Sequence, residues 1–223
     1  VKPFAPLVRA ACLLLFLFGR DASGQTTATA EAPLVRADVA GLAGWLHLHR
    51  PGLDYGDWIH GPGLIGGSAG WYWTDHLKTE IDGGVSSSAE RFQSRRVEIE
   101  GQPVYYTSRL RFSTRSVAVG PQYQFYRNAW FHPFVGAGLA LTWERTLRED
   151  DPVWGPDPTS GRTRLVSERR RFPENTDLVA RAYAQAGFKA YVSQRAFFRS
   201  DLRLAIRKGV DEVAVRLGGG VDF

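Results

Sequence analysis

Glu80 and Asp82 stand two residues apart, and Lys78 stands two residues before them. On a β-strand that spacing puts all three side chains on one face. Two neighbouring carboxylates are equipment for general acid–base catalysis. A lysine on the same face, with arginines at matching spacings elsewhere, points instead to an ion network that holds structure. His47 and His49 also share a strand face, a spacing that can bind a metal ion. No third ligand is near them in sequence, and a polar strand end accounts for both. A hydrolase needs a nucleophile beside a base that a third group orients. The five histidines are His47, His49, His60, His76 and His132, and none is followed two residues later by serine. The glycines form no phosphate-binding loop. The expectation is a protein that is not an enzyme and takes no cofactor or metal.

A second group is basic. Arg162, Arg164, Arg169, Arg170 and Arg171 fall in one stretch, near the acidic run Glu149-Asp150-Asp151. Guanidinium groups bind phosphate through charge-assisted, often bidentate hydrogen bonds. A solvated hairpin of mixed charge explains the same stretch.

These side chains need strands to hold them, and the sequence alternates in eight segments: about 36–48, 65–73, 77–85, 117–125, 133–147, 178–192, 198–207 and 212–223. In the last, Val213, Val215, Leu217, Val221 and Phe223 oppose Glu212, Ala214, Arg216 and Asp222. Period-two alternation of this kind marks strands with two unlike faces. The first segment is the least regular, with Leu42, Leu46 and Leu48 on one face but Val39 and Trp45 on the other. Connections near 74–76, 127–130 and 193–196 are tight. Those near 49–62, 91–105 and 149–176 are long, and the one near 208–212 is short. Short turns on one rim and longer loops on the other are the pattern of a transmembrane barrel.

Composition agrees. The 223 residues are 43% hydrophobic and 13% aromatic, with 24 glycines. This is too aromatic for a disordered chain, and no apolar run is long enough for a membrane-spanning helix. One cysteine, Cys12, excludes a disulfide framework. Lys2 and Arg9 precede the apolar run Ala10–Phe18, and Ala22-Ser23-Gly24 follow, the plan of a secretory signal peptide over 1–24. Cleavage falls after Gly24 or after Ala30. Loss of Lys2, Arg9, Arg20 and Asp21 leaves 25 basic and 22 acidic residues, which removes the main support for a nucleic-acid partner. Residues 25–35 then form a short periplasmic segment, and 36–223 the barrel.

In a soluble barrel the apolar face points inward; in a membrane barrel it meets lipid. The polar face here carries both signs in near balance: Lys78, Arg181, Lys189, Arg199, Arg203, Arg207 and Arg216 against Glu80, Asp82, Glu144, Asp201, Glu212 and Asp222. An eight-stranded interior has room only for side chains, and charges there must pair. Trp71, Trp73, Tyr123, Phe125, Trp130, Phe131 and Phe198 gather around the tight turns, as an aromatic girdle does. Arg216, Gly218, Val221 and Phe223 resemble the terminal insertion signal of bacterial outer-membrane barrel proteins.

Residues 36–223 resemble the small eight-stranded outer-membrane barrels with an OmpA-type transmembrane domain, and His132-Pro133-Phe134-Val135-Gly136-Ala137-Gly138-Leu139 is similar to the proline–aromatic–glycine strand of that group. The basic loop at 149–176 departs from the group. The resemblance implies an all-β, up-and-down, antiparallel transmembrane barrel in a bacterial outer membrane, with lipid, lipopolysaccharide and the insertion machinery as partners. The expected role is structural or surface-interacting, with a plugged interior and the basic loop on lipopolysaccharide phosphates. A narrow porin-like channel and a lipid A-modifying enzyme are the alternatives.

Overall fold

A computed structural model describes residues 36–50, 58–99, 102–125, 130–157 and 159–223. The expected signal peptide and the segment 25–35 lie outside the described residues. Twelve strands follow in chain order: β1 Ala37–His49, β2 Trp58–Tyr72, β3 Leu77–Ser86, β4 Ala89–Ile99, β5 Gln102–Gln124, β6 Phe131–Asp150, β7 Val153–Pro156, β8 Thr163–Ser167, β9 Arg170–Arg171, β10 Asn175–Tyr191, β11 Ala196–Ile206 and β12 Val210–Asp222. No helix occurs among the described residues.

Eight of these close a ring. Antiparallel pairing runs β1–β2–β3–β5–β6–β10–β11–β12 and returns from β12 to β1. The seam registers Asp38 with Asp222 and Leu48 with Glu212. The Phe223 carbonyl accepts the Arg36 and Ala37 N–H groups at 3.0 Å, and its own N–H donates to the Ala37 carbonyl at 2.9 Å. Closure leaves no edge strand, which a chain inside hydrocarbon requires.

The strand at β3 does not end with the barrel. Pairing stops at Val85↔Arg115 and resumes at Ala89↔Phe112, one residue out of step, so β4 continues β3 along β5 past a bulge. Ser87 marks the break: its Oγ accepts the Gly63 N–H at 2.8 Å and its own N–H donates to the Gly63 carbonyl at 2.7 Å. The stretch 91–105, expected as a loop, is therefore mostly a hairpin. The expected loop 149–176 likewise contains the β7–β8 hairpin and β9, which pairs with the end of β6. With 23 and 20 residues, β5 and β6 far exceed the 9–11 or so that cross a bilayer. Their outer halves stand clear of the membrane as a wall.

Alternation decides which face meets what. On β10 Leu178, Ala180, Ala182 and Ala184 point out while Val179, Arg181, Tyr183 and Gln185 are buried. On β11 Phe198, Leu202 and Ile206 are out and Arg199, Asp201 and Arg203 are in. Ile65 is 69% exposed and Arg199 is fully buried, the inverse of a water-soluble protein. From Leu178 to Phe188 the outward face covers about 34 Å of strand, or roughly 25 Å of height at a tilt near 40°. That matches the apolar band of a membrane barrel.

Leu42, Leu46 and Leu48 turn inward and are buried, and Val39 and Trp45 face out. Both faces of β1 are thus largely apolar, which is why its alternation was weak. Leu46, Leu48, Ile59, Phe112 and Ala214 pack as an apolar cap inside the end of the barrel away from the tight turns.

Neighbouring strands approach closely at the seam. A Cβ on Gly218 would lie 1.9 Å from the Gly41 carbonyl oxygen, whereas a Cβ on Gly41 meets nothing within 4 Å. Gly218→Val should destabilise the barrel by about 1–3 kcal/mol by overpacking, and Gly41→Ala should be silent. Urea unfolding in lipid vesicles, followed by the mobility difference between unboiled and boiled samples, checks both.

Candidate functional site

The interior charges come from six strands and are held in layers. At the tight-turn end, Asp38 Oδ2 accepts Lys189 Nζ at 2.5 Å, Lys78 Nζ at 2.6 Å and the Tyr72 hydroxyl at 3.0 Å. Lys189 also reaches Asp222 Oδ1 at 3.2 Å, and the Tyr191 hydroxyl donates to the other Asp222 oxygen. One carboxylate between two ammonium groups is an unbalanced triad. Asp222 restores neutrality, and Glu80, 2.8 Å from Lys78, links this layer to Arg199 in the next.

Mid-barrel, Arg199 clamps Glu80 in bidentate fashion, Nη1 to Oε2 at 2.7 Å and Nη2 to Oε1 at 2.8 Å. Its Nε donates to Asp201 at 2.8 Å, and its guanidinium lies over the Phe134 ring at 4.8 Å. Arg216 Nε takes the other Asp201 oxygen at 2.6 Å. Arg203 pairs with both oxygens of Asp82 and stacks on Tyr183 at 4.3 Å. Gln185 bridges the two arginines, its Oε1 accepting from Arg203 at 3.2 Å and Arg216 at 3.1 Å. Towards the far end, Arg181 donates to Glu144 at 2.5 Å and Arg50 also pairs with Glu144.

The structure thus brings Lys78, Glu80, Asp82, Lys189, Arg199, Asp201, Arg203 and Arg216 into one contiguous set of ion pairs, and Arg181 with Glu144 into a second. Glu212 borders a cavity of 20 Å³ with Asp82, Arg203 and Arg216, enough for about one water. Arg207 is a correction: it is exposed at the 207–209 turn and joins no interior layer, because β11 ends at Ile206. Asp38, Tyr72, Gln122, Gln124 and Gln185 are interior members that charge counting missed. Asp38, on the inward face with Ala40 and Leu42, was the signal for the first of them.

The outer surface has two zones. Trp71, Trp73, Tyr123, Phe125, Trp130, Phe131 and Phe198 are all exposed around the tight-turn rim, and Trp45 and Trp143 mark the opposite edge of the apolar band. Above Trp143 the same outward face becomes basic. Arg115 pairs across the sheet with Trp143, and Arg145 lies two residues further along β6. Arg145 pairs with Glu174, and Arg111 donates to Glu90 at 2.5 Å. Further out, Arg170 and Arg171 register with Asp150 and Glu149 through β9, and Arg169 stands 3.9 Å from Asp151. Burial opposes ionisation of Asp150, yet hydrogen bonds from Arg148 at 2.8 Å and Ser108 at 2.7 Å hold its carboxyl below the ordinary value. Arg162 and Arg164 stand exposed on and beside the β7–β8 hairpin.

His47 does not pair with His49. Its partner is His60 on β2, with the two Nδ1 atoms 2.9 Å apart, while His49 meets Trp58 edge to face at 5.2 Å. Among the described residues no three metal-ligating side chains gather.

No protein-family model matches this chain, and no curated protein is similar to it at the level of sequence. Solved structures are similar in fold. Neisserial surface protein A is 12% identical, with 84% of this chain and 97% of that one aligned at a TM-score of 0.53. The chain has the fold of a small bacterial outer-membrane barrel. The N-terminal barrel domain of Pseudomonas aeruginosa OprF is 18% identical over 83% of this chain and 97% of its own, with a TM-score of 0.45. Ail, the attachment invasion locus protein of Yersinia pestis, is 11% identical over 84% and 99%, with a TM-score of 0.48. The apolar exterior described above is built for the bilayer in which such barrels sit.

Breaking one interior partner strands the other. Arg199→Ala leaves Glu80 and Asp201 without their clamp and should cost about 3–5 kcal/mol, while removing Glu80 as well should cost less than the two single changes added together. A double-mutant cycle by urea unfolding in vesicles measures the coupling. Additive losses would show that the pair is not a unit.

Proposed function

We propose that this barrel is a non-enzymatic outer-membrane protein with a plugged lumen, whose basic outer wall holds lipopolysaccharide phosphates. The observation that carries the reading is the packed interior: the Arg199–Glu80 clamp and the Arg203–Asp82 pair cross the barrel at mid-height, and the apolar cap lies above them. A solute would have to break several desolvated ion pairs in sequence, which costs more than a small pore recovers.

The outward arginines are graded in height. Arg115 and Arg145 lie within about 5 Å of the band edge at Trp143, where lipid phosphates sit. They line an open groove of about 790 Å³ together with Ser113, Trp143, Glu174 and Thr176. Trp143 offers a surface for an acyl chain, with Arg115 in register beside it and Arg145 two residues further out, the order of groups found along a phosphorylated glycolipid. Arg115 has no ion-pair partner among the described residues, so its charge is available. Asp150 is seven residues beyond Trp143 on β6, so Arg169, Arg170 and Arg171 stand roughly 18 Å above the band edge, at the level of core sugars rather than lipid phosphates. Arg162 and Arg164 belong to the same outer tier.

Planar bilayers containing the purified barrel should stay electrically silent, and steady, resolved conductance would overturn the plug. Lipopolysaccharide binding should weaken as salt rises. Arg115→Ser with Arg145→Ser should lower affinity roughly tenfold or more, from the loss of charge-assisted hydrogen bonds. Serine at 169, 170 and 171 should have a smaller effect on binding of lipopolysaccharide trimmed of its core. Equal binding by all variants would remove lipopolysaccharide from the reading.

A further inference from the structure

The histidine pair at the outer end of β1 and β2 has a geometry that the lipopolysaccharide reading does not use. Below it, β1 and β2 register with Trp45 opposite Gly63; above, His47 stands opposite His60, so β2 carries one extra residue between. Gly61, with φ +92°, supplies the left-handed backbone that this bulge needs. The insertion reverses the parity of β2. Below the bulge the odd residues Ile65 and Trp71 face out; above it the even residue His60 does, on the same side as His47. Bulges re-aim side chains in this way. The two rings meet edge to face, centroids 5.1 Å apart, and neither is buried.

We propose that His47 and His60 form a binding site for a divalent transition-metal ion, with Cu²⁺ preferred. Imidazole nitrogens ligate Cu²⁺, Ni²⁺ and Zn²⁺, and the order of divalent affinities puts Cu²⁺ first. The two Nδ1 atoms are 2.9 Å apart, close enough for one ion to take both. The contact is now a hydrogen bond, so one Nδ1 carries a proton. Metal binding needs that ring to move its proton to Nε2, a tautomer change that releases none to solvent. Turning both lone pairs onto one ion takes a rotation about χ2, which is soft for histidine. Water completes the coordination, as expected for two protein ligands about 5 Å beyond the band edge at Trp45.

The test uses untagged, folded protein in detergent, titrated near neutral pH with Cu²⁺, Ni²⁺ and Zn²⁺ in a non-coordinating buffer. The expected result is one Cu²⁺ per chain, bound more tightly than Ni²⁺ or Zn²⁺, with an electron paramagnetic resonance spectrum showing coupling to two imidazole nitrogens. His47→Ala and His60→Ala should each weaken Cu²⁺ binding at least tenfold, and His76→Ala, on the opposite rim, should not. Retained heat-modifiable mobility shows that each variant is folded. If a variant does not fold, the spectrum of the unaltered protein decides: absence of imidazole nitrogen coupling overturns the site. Cu²⁺ affinity unchanged in the folded His47→Ala, His60→Ala double variant overturns it as well.

Discussion

Eight strands enclose so little space that every charge placed inside must find its countercharge inside too. That constraint organises the molecule. Water cannot solvate Lys78 or Arg199 inside the barrel, and lipid outside the wall is poorer still, so compensation must come from other interior side chains, several of them across the lumen. Glu80 answers both, from β3 to β3 and from β3 to β11. Asp201 ties β11 to β12 through Arg216, and Lys189 ties β10 to β1 and β12 through Asp38 and Asp222. The network does more than fill the lumen. It joins non-adjacent strands that backbone hydrogen bonds cannot reach, and so it fixes the cross-section of the barrel.

Much of this was legible because strand parity is a simple code: once Arg199, Arg203 and Asp201 fall on one face opposite Phe198 and Leu202, the interior follows. The code fails where a residue is inserted. At Ser87–Ser88 the bulge breaks the pattern between β3 and β4, so a continuing strand reads as a loop. At Gly61 the bulge flips parity, so the sequence gives no hint that His60 stands beside His47 rather than inside the barrel. The code also fails where both faces are apolar, as on β1, where the inward leucines of the cap face away from Val39 and Trp45. Charge counting overlooked Asp38 for the same reason. Arg207 was misplaced because alternation carries no marker for the end of a strand.

The outward face changes chemistry with height while its backbone does not change at all. β5 and β6 run unbroken from Tyr123 and Phe131 in the lower girdle, through the apolar band, to Arg115 and Arg145 and then to Asp150. A loop would let these arginines wander and dilute their charge over many positions, at a further cost in entropy on binding. A paired strand holds them at set distances from the band edge, so the phosphate contact proposed above would need no prior ordering of the arginines.

Rigidity inside and chemistry outside are therefore linked. The ion layers hold the wall in one cross-section, the wall holds Arg115 beside Trp143, and the bulge at Gly61 re-aims His60 without opening the ring. At Ser87 the serine hydroxyl and backbone bond to Gly63 of the adjacent strand, so the irregularity that extends β4 is fastened next to the one at Gly61 that turns His60 outward. A closed barrel has few places where a residue can be added without breaking its hydrogen-bonded circuit. Placing both insertions at the same height, where the band ends and water begins, keeps the unpaired backbone they create out of hydrocarbon. The same placement brings the re-aimed histidine within reach of ions in solution.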